Sequence, residues 1–99
     1  MTNTRPPRAS LEDLAVFVAV AETGGFSTAA ERLRVSKAMV SVAVARLERQ
    51  LGVQLLHRTT RRTSLTEAGA ATLPHAQRSL LAARDAEEAA TAALASPRS

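Results

Sequence analysis

Apolar positions recur at helical spacing in four stretches of this 99-residue chain. Leu11, Leu14, Phe17, Val18 and Ala21 share one helical face. Ser10, with Asp13 three residues on, forms a capping-box variant that opens this helix, and Gly24-Gly25 closes it. Val16 and Val20 lie off the face and predict a second apolar contact. A second helix opens at Ser27, turns Ala30 and Leu33 inward, and ends near Arg34-Val35. A third spans 36–50: Ser36 caps it, Gly52 stops it, and Val40, Val44, Leu47 and Leu51 fall at i, i+4, i+7 and i+11. From 54 to 66 the helical period disappears. Leu55, Leu56, Thr59, Thr60, Thr63 and Leu65 have strand character, which predicts a two-stranded ribbon over 56–65 with Arg61-Arg62 at its tip. Thr66 then caps a last helix over 67–95, with Glu67 suited to its positive end. At 1.5 Å per residue that helix is about 43 Å long, and Pro74 inside it predicts a kink.

Two helices around a short turn, with the second amphipathic and polar outside, describe a helix-turn-helix, and the following ribbon makes it a winged one. The expected fold is therefore mainly α, a winged helix-turn-helix with a short two-stranded β wing and a long C-terminal linker and dimerisation helix. Residues 1–10 read as a mobile arm, 11–66 as the winged domain, 67–95 as the linker helix and 96–99 as a tail.

Composition fits one small globular domain, 45 % apolar and 22 % charged. With no Cys and with His57 and His75 far apart in sequence, neither a disulfide framework nor a metal site is expected, and no cofactor. A hydrolase triad needs a pocket and an oxyanion hole that so short and helical a chain hardly provides, and no Gly-rich phosphate loop is present, so an enzyme is not expected. The apolar run at 14–21 is short, follows Glu12-Asp13 and gives way to polar residues, unlike a signal peptide. No run reaches the roughly 18–20 residues of a membrane span, so the default compartment is the cytoplasm, with no membrane partner.

Charge changes the picture more than composition does. Residues 27–62 hold eight Lys/Arg against two acids, whereas each flank is net −1, within a total of +4. A basic block confined to the helix-turn-helix and ribbon is an electrostatic footprint for a polyanion. With Val40, Val44 and Leu47 inward, the third helix turns Lys37, Ala38, Ser41, Val42 and Ala45 outward. Ser36 and Ser41 can bond phosphates or bases, and Lys37 can reach a guanine edge or a phosphate. Ala38 and Val42 offer only van der Waals contact, most usefully to thymine methyls. Arg58, Arg61 and Arg62 project from the ribbon, where a tip Arg can enter a narrow minor groove. In the last helix Gly69, Leu73, Ala76, Leu80, Ala83, Ala90 and Leu94 keep a near-heptad spacing broken by Glu87, which predicts a homodimer seam, with Val16 and Val20 adding to it. A core helix with a polar side, a solvated basic loop and a fold-back last helix are the plainer alternatives.

The strings LEDLAVFVAVAETGGFSTAAERLRVSKAMVS, RLERQLGVQLLHRTTRRTSLTEAG and LPHAQ, in that order, resemble the N-terminal winged helix-turn-helix of LysR-type transcriptional regulators. The resemblance covers nearly three-quarters of the chain. It implies a bacterial regulator that dimerises through the long fourth helix and binds interrupted palindromes in promoters. By the same resemblance, Ser27 caps the second helix, with Thr28 beside it as a further DNA-binding residue, and Ser36 caps the recognition helix. Lys37 and Ala38 stand at base-contact positions, and Ser41 matches the family's usual Ser. Arg58 falls at the wing's base and Arg61 at the tip residue that enters the minor groove, with Arg62 beside it. Val42 and Ala43 depart from the family's usual Arg or Lys and Gln or His, which implies reading by methyl contacts. Family members continue into a larger effector-binding domain, which is expected to be absent here, so no small-molecule effector site is expected. Two rival functions follow from the same features: a protein-interaction module working through the Ala-rich helix, and nonspecific duplex binding.

Overall fold

A computed structural model describes residues 7–59 and 62–95 of the chain, side chains included except at Ala95. Four helices and one ribbon follow in the order α1 (Leu11–Thr23), α2 (Phe26–Leu33), α3 (Lys37–Leu51), β1 (Leu56–Arg58), β2 (Thr63–Leu65) and α4 (Glu67–Ala95). The strands are antiparallel, pairing Leu56 with Leu65, His57 with Ser64 and Arg58 with Thr63. This is the expected winged helix-turn-helix. Of the expected arm, residues 1–6 lie outside the described residues, as does the tail 96–99; Ala9 packs against the core and Ser10 caps α1.

The helix ends are set by local chemistry. Ser10 Oγ accepts the Asp13 N–H at 3.0 Å and Ser36 Oγ accepts the Met39 N–H at 3.1 Å, each satisfying a first-turn donor. Gly24 and Gly52 close α1 and α3 in the left-handed region, at φ 84° and 72°. Arg34 closes α2 at φ 60° without a glycine's freedom, and its neighbour Val35 donates back to Ala30 C=O at 3.1 Å. The second helix departs from expectation. Its cap is Gly25, not Ser27, and no side chain caps it. Thr28 instead braces the turn before it, with its Oγ1 3.0 Å from Thr23 Oγ1 and 3.1 Å from Gly25 C=O.

The first helix is the centre of the domain. Phe17, Val18, Ala19 and Val20 are all buried, four consecutive positions that no single face accommodates. A helix buried on most sides is one with neighbours on most sides, and α1 packs against α2, α3 and α4. The one-face reading of α1 is corrected accordingly: Leu11 is exposed at 42 %, and Val20 is fully enclosed within its own chain. Val20 therefore has no surface to offer a partner. The stripe Val40, Val44 and Leu47 is buried as expected, but Leu51 is exposed at the end of α3.

An ion pair between a buried carboxylate and a half-exposed guanidinium fixes α3 to α1. Asp13 is 2 % exposed, and its carboxylate accepts from Arg46 Nε at 2.8 Å and Nη2 at 2.9 Å. The Arg46 hydrogen bonds and charge hold the Asp13 carboxyl below the usual carboxylate range against the opposing effect of burial.

Thr66 starts α4, accepting the Gly69 N–H at 2.9 Å while donating to Gln54 C=O at 2.7 Å. The helix runs through Pro74 as one element of 29 residues. The expected seam of α4 is divided. Ala76 is buried in the domain core and Leu73 and Leu80 pack against it, because the near half of the helix lies on α1. Gly69 is a contact of another kind: a Cβ there would stand 2.0 Å from Leu55 C=O. Only glycine lets α4 come this close to the entry to β1.

Two predictions follow from this packing. Gly69→Ala forces helix and strand apart and lowers the unfolding free energy by about 3 kcal/mol, read from urea midpoints. Asp13→Asn lowers the thermal midpoint at neutral pH. Because the native carboxyl titrates below its ordinary 3.8, the pair's contribution is complete above that value and is lost as pH falls through the depressed one. The gap between Asp13→Asn and the unsubstituted protein therefore closes on acidification.

Candidate nucleic-acid interface

The start of α2, the start of α3 and the wing enclose an open cleft of about 490 Å³. Ser27 and Thr28 line it from α2, Lys37 and Ser41 from α3, and Arg58 and Arg62 from the wing. Six of the expected site residues, scattered over some 35 positions of sequence, thus meet in one place. Among the described residues no acidic side chain lines the cleft. Two helix N-termini also open towards it, and that of α2 has no capping side chain, so its first N–H groups are free to bind an anion. Arg62 is held by its backbone, its C=O accepting from Thr59 N–H at 3.1 Å and its N–H donating to Thr59 Oγ1 at 3.0 Å. Arg61, the expected tip residue, lies outside the described residues.

Arg58 joins the wing to the helices. Its guanidinium lies 4.8 Å from the centroid of the Phe26 ring, and its Nη2 is 3.5 Å from Glu48 Oε1. Arg is suited to this place because a flat, weakly hydrated cation can stack on a ring and still present N–H groups outward. Glu48, which the sequence reading left without a role, binds the base of the ribbon. Its Oε2 accepts the Leu55 N–H at 2.8 Å and the Leu56 N–H at 3.2 Å. One carboxylate on α3 therefore sets where the wing begins.

The outer surface of α3 divides into sectors. Lys37 and Ala38 are exposed and Ser41 is half-buried towards the cleft, while Ala45 is half-buried in a second hollow beside Glu48 and His57. Val42 is exposed at 57 %, as expected, and Met39 at 58 %. Met39 is not among the expected readers. Ala43 is buried at 5 % exposure, so it does not face a ligand. Ser36 spends its side-chain oxygen on its cap.

A second open groove, about 850 Å³, runs between α1, the end of α2 and α4. Glu22 spans it, accepting from Arg32 at 2.6 Å and from Gln77 at 2.9 Å. These partners, Arg32 foremost, hold the Glu22 carboxyl below its ordinary range. Among the described residues no group of three or more His, Cys, Asp or Glu could hold a metal ion. No described helix is long and apolar enough to cross a membrane.

A winged helix-turn-helix with an acid-free cleft between its wing and its second helix has the architecture and charge of a nucleic-acid-binding domain. Comparison with known proteins makes this more specific. Residues 11–70 match the profile described as "Bacterial regulatory helix-turn-helix protein, lysR family", and the chain belongs to that family. It is 56 % identical over 69 residues to the HTH-type transcriptional regulator CrgA of Neisseria meningitidis serogroup C (strain 8013), covering 70 % of this chain and 23 % of that protein. The chain spans about a quarter of the length of such curated relatives. Among solved structures it resembles the DNA-binding domain of CbnR in complex with DNA, with 42 % identity, a TM-score of 0.76, and 85 % and 98 % of the two chains covered. It also resembles the BenM DNA-binding domain on catB site 1 DNA, with 34 % identity, a TM-score of 0.79, and 90 % and 99 % covered.

The contact between Glu48 and the ribbon makes its own prediction. Glu48→Ala leaves α3 helical but frees the wing base, so amide hydrogen exchange at Leu55 and Leu56 speeds up by about tenfold or more, as expected for losing hydrogen bonds to a charged group.

Proposed function

We propose that this domain binds double-stranded promoter DNA in a sequence-specific manner, as the DNA-reading part of a LysR-type regulator. The observation that carries the proposal is the acid-free cleft that gathers Ser27, Thr28, Lys37, Ser41, Arg58 and Arg62 at two helix N-termini. A duplex backbone offers the complementary partner, a row of phosphates that accept from side-chain and backbone N–H groups alike. With phosphates seated in the cleft, the first turns of α3 enter the major groove, where Lys37, Ala38, Ser41 and Val42 face base edges and Ala45 lies at the margin. The wing then follows the backbone towards the minor groove, with Arg58, Arg62 and, on the sequence reading, Arg61. The DNA complexes of the CbnR and BenM domains support the same reading.

The binding unit in this reading is a cytoplasmic homodimer, since two reading helices must stand about 34 Å apart to meet successive turns of one groove. Support comes from the far half of α4, where Leu81 and Leu94 are 55 % and 88 % exposed, and from the open groove beside α1. Leu81, Ala83, Ala90 and Leu94 take over the seam from Val20 and Ala76, which their own chain encloses, while Val16, Leu73 and Leu80 remain half-buried at its edge.

Binding to a promoter duplex weakens steeply with salt: for about six neutralised phosphates, log affinity falls with log salt at a slope near −5. Arg62→Ala reduces that slope by about 1 and weakens all duplexes alike, whereas Ser41→Ala relaxes preference at one base pair. Fluorescence anisotropy at several salt concentrations reads both. A slope near zero contradicts the proposal.

A further inference from the structure

The cleft accounts for the polar side of α3 but not for its other side. Met39 and Val42 stand three residues apart, which makes them neighbours on the helix surface, and each leaves more than half of its side chain in water. At about 100° per residue, Lys37 and Ser41 form the wing-side edge of α3, Ala38 and Val42 its centre, and Met39 the edge away from the wing. The buried Ala43 ends the face beyond Met39. Further along Met39's edge, Arg46 is tied to Asp13 through Nε and Nη2. The surface of α3 is thus polar where it adjoins the cleft and apolar on the opposite side, within the same two turns.

Resting on the proposed DNA-binding function and on the methyl contact already expected of Val42, we infer that Met39 joins it in a second reading edge that selects thymine through its C5-methyl group. The major groove carries hydrogen-bond donors and acceptors on all four base pairs, and the thymine methyl is its one apolar feature. Neither Met39 nor Val42 can replace the water that a base donor or acceptor gives up on contact, so pressing them against a guanine or cytosine edge leaves polar groups unpaired. Against a methyl group the same contact removes apolar surface from water on both sides. The occupant is fixed by charge complementarity across the helix: cations and helix N-termini on the wing side seat the backbone, which turns the adjoining apolar edge to the groove floor. Met39 suits this task because an unbranched thioether can adjust to a methyl's exact position.

The test uses the 99-residue chain and a duplex enriched by it from a random pool. Each thymine is replaced singly by deoxyuridine, which pairs identically and lacks only the methyl group. The inference predicts one or two positions per half-site at which the replacement weakens binding about fourfold, the worth of one buried methyl. Val42→Ala or Met39→Ala then removes the thymine–uracil difference at its own position while binding persists. Both positions are exposed and Ala favours helix, so the fold is retained. If the enriched site is preferred over scrambled duplex but every replacement is neutral, or if both variants keep the difference, the methyl-reading edge is wrong and the DNA-binding function stands. If no site is enriched, both fall.

Discussion

The carboxylate of Glu48 is the point on which the geometry of the binding face depends. It projects from the last turns of α3 and accepts the N–H groups of Leu55 and Leu56, where the chain leaves the helical domain for the ribbon. Those donors belong to the buried Leu55 and Leu56, so without Glu48 they would be costly to leave unpaired. The same side chain faces Arg58, whose guanidinium lies over Phe26 at the first position of α2. Reading helix, wing and the start of the second helix are thereby set relative to one another by one anion, one cation and one ring. A cleft built this way needs little rearrangement on meeting a ligand, and pre-organisation lowers the ordering cost of binding.

Behind this face, α1 serves as the frame. It packs on three helices at once, and the Asp13–Arg46 pair locks α3 against it from the side opposite the wing. The two ion pairs of α3 thus act at opposite edges of one helix, Glu48 with Arg58 on the wing side and Arg46 with Asp13 on the other. Gly69 completes the frame by letting α4 approach Leu55 C=O more closely than any side chain would permit. The long helix is in this way joined to the wing's origin, and its near half becomes part of the domain core.

Much of this was legible in the sequence, and what was missed has a common cause. Local signals worked: the caps Ser10, Ser36 and Thr66, the stops Gly24 and Gly52, the stripe Val40, Val44 and Leu47, and the loss of helical period that marks the wing. Among the cleft residues, Lys37, Ser41, Arg58 and Arg62 are legible because a basic block and a helix-turn-helix coincide in them, and Ser27 and Thr28 through the family resemblance. The misses are long-range. Asp13 reads as a first-turn acid, since nothing local ties it to Arg46, 33 residues away. Glu48 has no role in the sequence reading for the same reason, since its partners Leu55, Leu56 and Arg58 lie seven to ten residues on. Val20 and Ala76 were placed at a partner interface because an apolar residue off the main stripe looks unpaired until the packing around it is known. Gly69 passed as a small residue in a heptad, although its task is a close backbone approach. Met39 was passed over because its exposure follows from how α3 sits on α1, not from its spacing alone.

In the proposed function grip and choice meet on one face. The cleft seats phosphates of any duplex, and the outward side chains at the start of α3, among them Lys37 and Ser41 at the cleft's own edge, discriminate between base pairs. The most direct test of that division is selection of bound duplexes from a random pool, sequenced as enrichment proceeds. Sequence-specific binding by a dimer predicts convergence on a short motif repeated in inverted orientation about one helical turn apart. Tight, salt-sensitive retention of the pool without any enriched motif would contradict it, leaving a domain that grips DNA and does not read it.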